Sequence, residues 1–174
     1  MELNKLRDKA HAIALEHGFY EETHADEHYL CLIVSELMEA VEDDRKGHNA
    51  DWEAFMKYEE RVSFEENFKR HIKDTVGDEL ADACIRIFDY AGYQNIDLEQ
   101  DVEKSPITMV YDRFTVAAFG VTMILVYEPN PENVIHALEF IFAIAEKMGI
   151  DIEQHIKLKM KYNALRPYRN GKRY

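Results

Sequence analysis

A chain of 174 residues that is 47% hydrophobic and 32% charged has enough apolar material for one folded unit with a sizeable core, which excludes a disordered protein. Its net charge of −13 is unevenly spread: residues 157–174 hold seven of the 21 Lys and Arg and no acid, leaving 14 basic against 34 acidic residues in 1–156. An acidic body with a basic end argues against broad nucleic-acid binding and suits a site where cations and a few basic groups gather a small polyanion.

Apolar residues recur with helical period almost throughout, so the chain reads as an all-α bundle in a single domain over 1–174. A first helix near 2–17 should stop at Gly18, and a second should run from about His24 to Lys46 on a stripe of Leu30, Ile33, Val34, Leu37 and Val41. The opposite side of that helix carries Glu36, Glu39 and Asp43. Residues 48–62 read as a loop and short helix inserted against the body, part of an insertion spanning about 44–70. Ser63 and Glu66 have capping-box spacing and predict one long helix to about Tyr93, with Val76, Leu80, Ala83, Cys84, Ile87 and Phe88 inward. Pro106 and Gly149 bracket a predicted hairpin over 105–148, with helices at about 107–127 and 131–148; Asn130 caps the second and Pro131 takes its first turn. Thr115–Val126 is rich in β-branched residues, but no second strand is evident to pair with it, so helix is preferred. A last helix should begin near Asp151 and end before Pro167.

Cys31 and Cys84 sit in apolar helical stretches and read as buried, reduced thiols. MELNKLRDK has no apolar signal core and Phe114–Tyr127 is too short to span a bilayer comfortably, so a cytoplasmic protein without a membrane partner is expected. The segments NIDLEQDVEK at 95–104 and GIDIEQHIKL at 149–158 share an Ile-Asp-x-Glu-Gln core. Independent use of a good helix start explains this, and a duplicated helical hairpin is the sharper alternative.

The chemistry lies in two acidic pairs at helical spacing, Glu36 with Glu39 and Glu79 with Asp82. Residues three apart on a helix project as neighbours, so each pair can offer two carboxylates to one point. On spacing alone such acids also suit a solvated helix face. However, Leu32 and Ala40 interrupt the first acidic side, and Asp78, Glu79 and Asp82 crowd one stretch with Arg86 as the nearest compensating charge. Like charges held together need a counterion, and oxygen-only ligands suit a hard ion such as Mg2+. Lys157, Lys159, Lys161, Asn163 and Arg166, followed by RPYRNGKRY, make a basic end that suits either a solubilising tail or, through its Arg, Lys and Asn donors, a triphosphate. A competing pattern is His24, Glu27 and His28, a His-x-x-Glu-His order that would bind zinc if a third ligand joined it. Trp52 could stack on a base, although packing is the plainer role.

The combination of SELMEAVED, GDELADACIRIFDYAG and IDIEQHIKLKMKYNALRPYRNGKRY resembles the MazG-like all-α nucleoside triphosphate pyrophosphohydrolases, over about 24–46, 70–104 and 149–174. The resemblance implies a helical bundle of that type with an inserted segment and an additional hairpin. It also implies Mg2+ on Glu36, Glu39, Glu79 and Asp82 and phosphate contacts from Lys159, Asn163 and Arg166; among the carboxylates, Glu39, central in its acidic stripe, and Glu79 are the expected catalytic residues. The implied reaction is hydrolysis of a nucleoside triphosphate, deoxy or non-standard, to monophosphate and pyrophosphate in nucleotide-pool sanitation, by a homodimer or higher homo-oligomer. A non-catalytic helical nucleotide-binding module is the alternative. The chain departs from the family in the length of 40–78, where Trp52, Phe55 and Tyr58 are placed to cover the pocket, and in 105–148, which stands where a partner's helices would.

Overall fold

The structure, a computed structural model, describes residues 1–100 and 112–171. Its helices are α1 Leu3–Glu16, α2 Asp26–Lys46, α3 Trp52–Tyr58, α4 Phe64–His71, α5 Val76–Tyr93, α6 Phe114–Tyr127, α7 Pro131–Met148 and α8 Ile152–Asn163, followed by a 3-10 turn Tyr168–Gly171. There is no strand among the described residues, so the all-α expectation holds. The stretch 107–111, expected to open α6, lies outside them.

Helix α5 is the axis of the bundle, packed by α2, α1, α8 and α7. Leu80, Ala83, Cys84, Ile87 and Phe88 are fully buried along it. Each large apolar side chain removed from water in this way contributes about 1.5–3 kcal/mol. Gly92 lets α1 come close, because a Cβ there would lie 2.6 Å from the His11 Cβ. Helix α6 packs on α2 and α7, which bury Ala117, Val121, Ile124 and Leu125 and select helix over the β propensity of the segment. Asn130 Oδ1 accepts from the Asn133 N–H at 2.8 Å, capping α7 as expected.

The predicted long helix from Ser63 to Tyr93 is two helices. Ser63 caps α4, but the chain leaves the helix after His71 and Asp74 adopts a left-handed φ of 57°. Thr75 then opens α5, with its Oγ1 accepting from the Asp78 N–H at 3.4 Å. The missed signal is Thr75…Asp78, a second cap spacing inside an apolar-periodic run. The insertion, α3 and α4, makes its own small cluster of Phe55, Phe68 and Ile72 on Tyr162 of α8.

A second correction concerns Cys31, which is exposed; Cys84 is buried, and burial pushes its thiol well above the ordinary range. Cys31 follows Leu30 by one residue and so falls off the stripe that Leu30, Ile33 and Leu37 bury. The two Ile-Asp-x-Glu-Gln segments share a helix ending: Asn95 and Gly149 take left-handed φ values of 55° and 71°, and the Ile96 and Ile150 N–H groups each reach back five residues at 2.8 Å. After that they diverge, since Asp151 caps α8 through Gln154 whereas Asp97 accepts from Glu99. Residues 101–104, on which a duplicated hairpin depends, lie outside the described residues.

Candidate functional site

The acidic pairs meet where the middle of α2 crosses the first turns of α5. One carboxylate oxygen from each of Glu36, Glu39 and Glu79 lies within 4.8 Å of the others. Glu36 and Glu79 are buried and Glu39 is exposed, so the trio opens at one side. A second trio, Asp74, Asp78 and Glu79, satisfies the same limit and shares Glu79. Asp74 comes from the break between α4 and α5, which is why a continuous helix could not place it there.

Lys159 and Asn163 arrive from α8, one turn apart. The Lys159 ammonium is buried and contacts Asp78 Oδ2 at 2.6 Å and Asp82 Oδ2 at 2.8 Å. Asn163 Nδ2 donates to Asp82 Oδ1 at 3.3 Å. Asp82 is therefore set beside the Glu36–Glu39–Glu79 trio and bound to α8, rather than gathered into it. Arg86 Nε donates to Glu36 Oε1 at 3.1 Å, so its partner is the α2 acid and not the α5 acids beside it in sequence.

Apart from the fully buried Asp78, these groups line a cavity of about 180 Å³, together with Arg166 and the apolar floor of Ala10, Ile13 and Ala14 from α1. It abuts a second cavity of about 590 Å³ through Phe19, Arg86 and Asp89, which line both. Sequence reading missed this rim, where His11 Nδ1 and the Tyr20 hydroxyl both reach Asp89 Oδ1, at 2.9 and 2.8 Å. No periodic signal links residues 11, 20 and 89.

The electrostatics follow from burial. Burial raises the Glu79 pKa to about 9, the Lys159 charge opposes that, and the carboxylates of Asp82, Asp78 and Glu36 add to it. Burial also raises Asp78 to about 6 against the pull of Lys159. Glu36 is raised by burial and then by Asp82, with Arg86 opposing. For Asp82 burial is outweighed by Lys159, Arg86 and Asn163, and its pKa falls. Lys159 is held above its ordinary range because Asp82, Asp78 and Glu79 overcome its burial. Six carboxylates line the cavity against four cations, Lys73, Arg86, Lys159 and Arg166, and the three groups that converge are all carboxylates. Such a donor set fits Mg2+ and not a soft ion.

Trp52 packs edge-on against Phe55 and His155, and none of Trp52, Phe55 and Tyr58 lines the cavity. The insertion therefore does not cover it. His24 and His28 have rings 4.2 Å apart on the wall of the second cavity, but with Glu27 they belong to no group of three or more ligating side chains among the described residues. No helix among the described residues is long and apolar enough to cross a membrane. Comparison with family models, with curated proteins and with solved structures finds no match.

Proposed function

We propose that this protein is a magnesium-dependent hydrolase that cleaves a nucleoside triphosphate between its α and β phosphorus atoms, giving the monophosphate and pyrophosphate. The observation that carries the reading is the convergence of Glu36, Glu39 and Glu79 within 4.8 Å on the wall of a cavity that Asn163 and Arg166 also line. The adjoining space of about 590 Å³, walled in part by Phe19, His24, His28 and Tyr29, has the size and aromatic character a nucleoside needs.

Magnesium held by Glu36, Glu39 and Glu79 supplies neutralisation of phosphate charge when bound. The rest is done by side chains of the chain. Glu39 is the exposed member, accepts from Ser35 Oγ at 3.4 Å and has no ion pair to a basic group among the described residues. It is therefore the carboxylate to take the proton of a water attacking the α phosphorus, while the bond to the bridging oxygen breaks and its electrons leave with pyrophosphate. Arg166 and Asn163 hold the departing phosphates and stabilise their growing charge. Lys159 acts as a positioning residue, holding Asp78 and Asp82 from α8, rather than as a phosphate ligand.

The test is incubation of the purified protein with a panel of ribo- and deoxynucleoside triphosphates and Mg2+, followed by measurement of monophosphate and pyrophosphate. Turnover that drops at least about 100-fold in Glu39→Gln with helicity retained supports the reading. Nucleotide binding without turnover across the panel would establish the non-catalytic module instead.

A further inference from the structure

The carboxylate cavity and the second cavity meet at the residues that line both, Phe19, Arg86 and Asp89. Arg86 and Asp89 stand three residues apart on α5, so their side chains are neighbours. Phe19 comes from the α1–α2 connection and has the Arg86 guanidinium 5.8 Å from its ring centre. Arg86 is engaged by Glu36, and Phe19 has no hydrogen-bonding side chain. Asp89 differs from both. Its side chain is 13% exposed, and its Oδ1 accepts from the Tyr20 hydroxyl at 2.8 Å and from His11 Nδ1–H at 2.9 Å, since a carboxylate oxygen only accepts. Among the described residues nothing bonds to Oδ2. Both donors are themselves held in place. Gly92 lets His11 sit against α5, and the Tyr20 ring stacks on Tyr29 and meets His11 edge-on, with centres 5.5 and 4.8 Å apart. The carboxylate is thus oriented before any ligand arrives.

We propose, resting on the hydrolase reading for where the phosphates and the base lie, that Asp89 Oδ2 is the receptor for a hydroxyl of the nucleotide's sugar. Position is the first argument. The sugar joins the phosphates to the base, so with phosphates in the carboxylate cavity and the base in the second one it must occupy the passage between them, where Asp89 stands. Chemistry is the second. Oδ2 can only accept, so it offers nothing to a phosphate oxygen, which also accepts, and it bonds strongly to a hydroxyl. Orientation is the third. Because His11 and Tyr20 fix Oδ1 from two elements, the free oxygen cannot turn away from the passage without breaking both bonds. A nucleotide that lacks the hydroxyl displaces water from Oδ2 and returns no donor to it, which is how a polar site rejects an analogue missing one group. None of Asp89, His11 and Tyr20 belongs to the acidic pairs or to the basic end, so sugar recognition is a separate device built by the contact of α1 with α5.

The test is calorimetric titration of the full chain, in Mg2+, with α,β-imido nucleoside triphosphates, which resist cleavage between the α and β phosphorus atoms. Adenine, guanine, cytosine and uracil are each presented on ribose, 2′-deoxyribose, 3′-deoxyribose and 2′,3′-dideoxyribose. For the base bound most tightly, wild type should lose at least about 10-fold in affinity on the dideoxy sugar, as expected for one hydrogen bond to a charged group, and the two monodeoxy sugars identify the hydroxyl. Asp89→Asn keeps an oxygen for His11 and Tyr20 while replacing the free acceptor by an amide. With unchanged helical circular dichroism it should bind all the sugars within about 3-fold of one another. A wild type that binds the dideoxy form as tightly as the rest, or binds none of them, would overturn the proposal, as would an Asp89→Asn protein that keeps the full discrimination. Sugar-dependent binding without pyrophosphate release from the cleavable nucleotide upholds Asp89 and sinks the hydrolase reading; pyrophosphate release with no sugar dependence does the reverse.

Discussion

Glu79 is the residue on which charge and stability are most tightly linked. Its folded pKa of about 9 stands above the ordinary value of 4.5, so between those limits the folded state holds a proton that the unfolded chain has released. Stability from this group is thus present at low pH and is lost as pH rises from 4.5 toward 9. Glu79→Gln should therefore raise the stability of the metal-free protein at pH 8 by about 1–3 kcal/mol, and should remove the increase in melting temperature that Mg2+ gives the wild type. Thermal melts with and without Mg2+ check both; a destabilised Gln variant would contradict the electrostatic account. His155 has the opposite sign. Burial, with Lys159 adding and Asp151 opposing, lowers its pKa from 6.5 to about 4. It favours the fold above pH 6.5 and that contribution is lost as pH falls toward 4, at about 1.4 kcal/mol per unit. His155→Phe should flatten the acid side of the stability profile relative to wild type, read as melting temperature against pH.

At the scale of elements, the contact of α5 with α8 decides whether the site exists. A Cβ on Gly77 would lie 2.3 Å from His155 Nε2, so the first turn of α5 seats against α8 with no room to spare. Gly77→Ala should destabilise the fold by about 1–3 kcal/mol through overpacking, and His155→Ala in the same chain should recover much of that loss, a coupling that a double-mutant cycle by denaturant unfolding would reveal. Additive losses would mean that the helices adjust independently. The carboxylates of α5 and the ammonium of Lys159 reach one another only because this seating is close. The same seating explains why Ser63 does not begin a single helix to Tyr93: α4 diverges with the insertion to pack on Tyr162, and Thr75 restarts the helix in the direction of the core.

Over the whole molecule, the basic end is a clasp and not a loose tail as far as Gly171. The Arg169 N–H donates to the His17 carbonyl at 2.9 Å and its Nε to the Gly18 carbonyl at 3.2 Å. Tyr168 packs over Gly18, whose φ of 77° and missing Cβ make room for the ring. Arg169 also pairs with Glu21 at 3.2 Å, on the α1–α2 connection that walls the second cavity. Deleting residues 167–174 should lower stability by about 1–3 kcal/mol, more at low salt than at high, as measured by melting temperature. No change on deletion would show that the clasp is not formed in solution.

Much of this could be read along the chain because it is local. Periodicity, Asn130 before Pro131, Ser63 before Glu66 and the three-residue spacing of Glu36 with Glu39 and Glu79 with Asp82 depend on neighbours within a turn or two. Those rules gave an all-α bundle with two acidic faces. Which faces meet is a matter of packing, and only the tertiary structure decided that Lys159 binds Asp78 and Asp82, that Arg86 pairs with Glu36 across 50 residues, that Cys31 is exposed, and that Asp74 joins the carboxylates. Each of those depends on contacts between helices distant in sequence, where side-chain volume and the cost of burying charge outweigh any local preference.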